Sequence, residues 1–88
     1  MIKRYKKKPI VIEAIQWVGD NLYDIRNWMG ISTRSKAFIS SEGEVYLEIE
    51  TLEGTMRAPI GSYIIKGVKG EFYPCDKEIF EETYEEVE

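Results

Sequence analysis

The chain switches between stretches whose apolar residues alternate and stretches where they recur every three or four positions, and this lays out its expected elements. Over residues 10–17, β-branched and aromatic side chains occupy both alternating faces, which predicts a central strand covered on both sides. Gly19 and Asp20 break that pattern. Asp20 suits the cap of a helix whose Leu22, Ile25, Trp28 and Met29 share one face, and Gly30 ends it. The polar, basic residues 31–36 read as a loop, 37–40 as a short strand, and Glu42-Gly43 as a turn. Val45, Leu47 and Ile49 then alternate with Tyr46, Glu48 and Glu50, giving a strand with one dry and one wet face.

A second turn at Glu53-Gly54 returns the chain as a partner strand over 55–58. A bend over 59–62, a strand over 63–66, a tight turn over 67–70 and a last strand over 71–73, closed by Pro74, continue the meander. Asp76 is the expected N-cap of a final helix presenting Ile79, Phe80, Thr83, Tyr84 and Val87 on one face. Glu81 and Glu82 suit its dipole, whereas Glu85, Glu86 and Glu88 do not, so the last turn should fray. The order predicts an α+β fold: a bent, mostly antiparallel sheet or half-barrel of about five to six strands with two short helices.

Composition narrows the function classes. At 88 residues with no repeat and no linker, the chain is expected to be one domain over 1–88. A hydrophobic fraction of 43% is that of a folded chain. The single cysteine, Cys75, allows no intrachain disulfide, and neither a signal-peptide core nor a membrane-length apolar run occurs, so a cytoplasmic protein with no membrane partner is expected. Histidine is absent, which excludes Ser–His and Cys–His nucleophile systems and zinc sites that contain histidine. The expectation is a non-enzymatic protein with no catalytic residue, metal or cofactor. A core this small gains from subunit burial, which points to a homodimer.

Charge sharpens the partner question. The net charge is −4, yet Lys3, Arg4, Lys6, Lys7 and Lys8 crowd one end while Asp76, Glu78, Glu81, Glu82, Glu85, Glu86 and Glu88 crowd the other. The acidic balance argues against nucleic acid as a partner, leaving the basic arm as the one place to meet phosphate. The ground-level expectation for both charge runs is two solvated segments that attract each other.

Candidate chemistry is sparse. Cys75 sits at a helix start, where a thiol pKa can fall, but with no histidine or second cysteine beside it a structural thiol is expected. Nothing in the sequence brings the acid pairs Glu48 and Glu50, or Glu81 and Glu82, together for hydrolysis. Trp17 and Trp28 are expected in the core; an exposed one would mark a partner surface. In 59–74, Gly61, Gly67 and Gly70 are explained by turns. Tyr63, Lys66, Lys69 and Tyr73 are the candidate ligand residues, able to meet a small anion such as a nucleotide by charge and stacking. Their convergence on one concavity favours a ligand site; their dispersion favours a protein-binding surface.

Three stretches carry a resemblance: Tyr-Lys-Lys-Lys-Pro-Ile-Val-Ile-Glu-Ala-Ile-Gln-Trp (5–17), Pro-Ile-Gly-Ser-Tyr-Ile-Ile-Lys-Gly-Val-Lys-Gly-Glu-Phe-Tyr-Pro-Cys (59–75) and Ile-Phe-Glu-Glu-Thr-Tyr (79–84). Together they resemble small uncharacterised phage and prophage proteins with a Pro-Gly-Asp-Tyr block. Here Ile60 is inserted and Ser62 stands where that family often has Asp, which removes any role of that acid. The resemblance implies a phage accessory protein, of the kind that binds host or phage proteins.

Overall fold

Short tight-turned strands dominate, as the alternation predicts. A computed structural model describes residues 1–31 and 33–87. Ser32, inside the predicted loop, and Glu88, the last predicted tail acid, lie outside the described residues. The order is β1 (Glu13–Gln16), α1 (Leu22–Met29), β2 (Ser35–Ile39), β3 (Val45–Thr51), β4 (Gly54–Pro59), β5 (Tyr63–Lys66), β6 (Phe72–Cys75) and α2 (Lys77–Thr83). The fold is α+β, as expected. Its strands pair antiparallel in two three-stranded sheets, β1-β5-β6 and β2-β3-β4, with β6 lying against β3 and β4. The bend therefore falls between two sheets, and the barrel does not close.

The turns of the second sheet follow from side-chain chemistry. Ser40 Oγ accepts the Glu42 and Glu44 N–H groups at 3.3 and 3.2 Å, and Gly43 takes φ 85°, a left-handed conformation that costs an L side chain. Thr51 Oγ1 does the equivalent work at the next turn, accepting from Glu53 N–H at 3.1 Å and donating to the Gly54 carbonyl at 2.7 Å.

Four expectations are corrected. The first strand is an edge, not a centre: β5, buried at Ile64 and Ile65 on opposite faces, takes the middle of its sheet. It is also shorter than 10–17. Glu13 pairs with Lys66, the last residue of β5, and the chain then turns through Gly67 and Gly70, so residues 10–12 meet no strand. The last strand runs through Pro74, which pairs with Ile64. Trp17 N–H bonds the Ser62 carbonyl at 2.8 Å, which sets the alternation so that Ile64 directs its main-chain groups at β1; the Ile64–Pro74 pair is then a non-hydrogen-bonded one, where proline loses nothing. Finally, Asn21 rather than Asp20 stands at the α1 N-cap. Its Oδ1 accepts from Val18 N–H at 3.0 Å and its Nδ2 donates to the Gln16 carbonyl at 2.8 Å, tying β1 to the helix.

The core lies between α1 and the inner faces of both sheets: Trp17, Ile25, Met29, Leu47, Ile49, Ala58, Ile64 and Phe72. Trp28 is half-buried, packs edge-on against Phe72 at 5.1 Å between centroids, and donates its indole N–H to Glu13 Oε1 at 3.1 Å. Each large aliphatic side chain buried there contributes about 1.5–3 kcal/mol.

Candidate binding surface

The other face of the first sheet is built from aromatics. In β5 and β6 the register places Tyr63, Ile65, Tyr73 and Cys75 on one face and Ile64, Lys66, Phe72 and Pro74 on the opposite one. α2 covers the first set. Phe80 stacks on Tyr63 with centroids 3.9 Å apart, Tyr84 continues the stack at 4.8 Å, and Tyr63 donates its hydroxyl to Glu81 at 3.1 Å. Lys7 reaches the same place, 5.4 Å above the Tyr84 ring and 3.5 Å from its hydroxyl. Of the predicted apolar face of α2, Phe80 is half-buried while Ile79 stays exposed, and no residue of this helix is fully buried. The helix ends at Thr83, in keeping with an unfavourable acidic tail.

The structure thus brings Tyr63 and Tyr73 to one face, sends Lys66 to the opposite face, and leaves Lys69 in the β5–β6 turn with its N–H on Glu71 Oε1 at 3.0 Å. Burial pushes the hydroxyl pKa of Tyr63 up, with the bond to Glu81 adding to it, and burial beside Tyr84 does the same for Tyr73. Burial next to Asp76 also raises the Cys75 thiol, so this cysteine holds little thiolate at neutral pH.

Among the described residues, grooves open on two parts of the surface. One, of about 930 Å³, runs between residues 9–14 and α2, floored by Tyr63, Phe80 and Tyr84 and rimmed by Glu81, Glu85 and Glu86. The other, of about 760 Å³, lies between the end of α1 and the start of β2, with Arg26, Arg34 and Lys36 facing Glu48 and Glu50. Reasoning from sequence missed this second cluster, because its cations come from a helix, a loop and a strand; the basic character of 31–36 was the only signal for it.

Both acid pairs lie on outward faces of the fold. Glu48 sits on the outer face of the second sheet between Lys36 at 3.7 Å and Arg57 at 3.5 Å, beside a stacked Phe38–Tyr46 pair that Arg57 covers at 5.0 Å. Tyr46 bonds Glu44, and that bond is the main cause of its raised hydroxyl pKa. Glu81 pairs with Lys77 at 3.7 Å and Glu82 is exposed. Among the described residues no group of three His, Cys, Asp or Glu side chains could hold a metal ion, and no helix is long and apolar enough to cross a membrane.

The first twelve residues hold a run of exposed apolar side chains, with Ile2 and Tyr5 96% and 88% exposed and Ile10 and Val11 53% and 77% exposed; others, such as Ile31 and Leu52, are scattered singly over the loops and turns. The radius of gyration is 14.3 Å, against roughly 12 Å for a compact chain of this length. Compared with protein-family models, curated proteins and solved structures, the chain shows no match.

Proposed function

We propose that this is a non-enzymatic protein-binding domain whose contact element is residues 1–12 together with the open edge of β1. One observation carries the reading: residues 10–12 are β-branched and strand-forming, yet their register runs past the end of β5, so they line the groove beside α2 with no strand to pair with. The dispersion of Tyr63, Lys66, Lys69 and Tyr73 over two faces and a turn supports the same choice over a ligand site at those residues. With the resemblance to phage proteins, the target is a host or phage protein, and the molecule acts as a phage accessory factor by occupying it. Ile10→Ser with Val11→Ser, both outside any strand, tests this. Affinity capture from infected bacterial cells should recover a specific protein with the wild-type chain and lose it with the double variant at unchanged circular dichroism. Recovery of nothing specific, or equal recovery by both, contradicts the reading.

The groove at Arg26, Arg34 and Lys36 favours a second reading, capture of a small anionic ligand, since its volume lies within the range of small-molecule sites. It ranks lower because Glu48 already pairs with Lys36 and the carbonyl end of α1 repels anions. A nucleotide panel in thermal unfolding decides it: a ligand raises the melting temperature with concentration, and a flat response removes the reading.

A further inference from the structure

We infer that the open edge of β1 pairs with the same edge of a second copy of this chain, joining two three-stranded sheets into one continuous sheet across a two-fold axis. The inference rests on the reading of residues 1–12 as the contact element and names its first partner.

The argument begins with the direction of main-chain groups. Trp17 exchanges hydrogen bonds with the Gly61-Ser62 segment at 2.7 and 2.8 Å, so by alternation Ile15 and Glu13 face β5 while Gln16 and Ala14 face away. Asn21 already occupies the Gln16 carbonyl. Ala14 is left on the open edge, and a strand continued back through 10–12 adds Ile12 and Ile10 to it. Pro9 falls on the alternate set, so its missing N–H faces away from a strand added at that edge; proline is tolerated there.

An edge that meets its own copy antiparallel must pair even positions with even ones. Centring on Glu13 would set two carboxylates opposite each other, which is unfavourable. Centring on Ile12 sets Ile10 opposite Ala14 and Glu13 opposite Val11, with no like charges facing. In that register Lys8 of the second copy comes opposite Gln16, on the face that carries Tyr63 and its bonded Glu81. Lys7 stays on Tyr84 of its own chain, while Lys8 of one copy approaches the acidic rim of the other at Glu81. A self-complementary register that opposes no like charges and sets Lys8 beside an acidic rim favours a second copy over an unrelated strand.

Sedimentation equilibrium tests it. The wild-type chain should reach twice its 10.3 kDa mass, with a dissociation constant that rises with salt. Ile12→Pro removes the N–H that the central pair exchanges in both directions and should weaken dimerisation roughly ten- to hundred-fold, whereas Val11→Pro, whose N–H points away, should weaken it far less. On the wild-type chain, the Ile12 and Ala14 amides should gain hydrogen-exchange protection as concentration rises, a readout that needs no variant to fold. A monomer up to millimolar concentration overturns the inference, as does a dimer in which these amides stay unprotected or Ile12→Pro has no effect. A monomer that still captures a protein through Ile10 and Val11 overturns self-pairing alone and leaves the binding reading standing; a monomer that captures nothing overturns both.

Discussion

α1 and α2 cover opposite faces of the same three strands by different physics. α1 buries Ile25 and Met29 completely or nearly so, in an aliphatic core shared with Trp17, Leu47, Ile49 and Ile64 from both sheets. α2 buries no residue fully and is held by a half-wet stack of Tyr63, Phe80 and Tyr84 with glutamates and Lys7 at its rim. The contrast teaches that most of the fully buried core, Ile65 apart, lies on one side of the molecule, while α2 is a lightly attached cover next to the arm. On the reading proposed above, this loosely attached side is where a partner binds.

The sharpest way to break that contrast is to damage each side in turn. Trp17→Ala removes the largest fully buried side chain and should cost about 3–5 kcal/mol, comparable to the whole stability of a small domain. Loss of the cooperative urea transition would show it. Phe80→Ala should cost only about 1–2 kcal/mol, undocking α2 while the circular dichroism of the sheets survives. If Phe80→Ala unfolded the chain as completely as Trp17→Ala, the two sides would be one cooperative core and the contrast would fail.

Alkaline titration separates the sides without mutation. Tyr63 and Tyr73 have hydroxyl pKa values raised above 10.0 in the fold, so the stabilisation tied to their neutral forms is complete below pH 10 and is lost as pH climbs through the folded values. Chemical denaturation should therefore show a midpoint that falls above pH 10, and replacing both tyrosines with phenylalanine should lessen that fall, leaving the part that belongs to Tyr46. The smallest effect belongs to neither side. Glu48→Gln breaks two long ion pairs with exposed partners on the outer sheet and should change stability by no more than about 0.5 kcal/mol.

Local rules made the architecture legible where turns and alternation act within a few residues. The β2–β3–β4 meander, with Gly43 and Gly54 at its turns, and the α1 face of Leu22, Ile25, Trp28 and Met29 are of this kind. Residues 10–17 misled because two-sided apolar alternation is the signature of a central strand, and nothing local says that the partner strand ends at Lys66. The candidate ligand residues were chosen by type within one stretch, but strand parity sends Tyr63 and Lys66 to opposite faces, a separation that follows from their odd spacing once both lie in β5. The cluster of Arg26, Arg34 and Lys36 was signalled only by the basic character of 31–36, because tertiary packing is what adds Arg26 from α1.

Residue-resolved hydrogen exchange on the wild-type chain tests most directly whether fold and working surface are separate parts of this molecule. Amides of Leu47, Ile49 and Ile64 should exchange only through global unfolding, while those of Phe80, Glu81 and Glu82 in α2 should exchange through a far cheaper local opening that leaves the core protected. One common protection level for β3, β5 and α2 would contradict it.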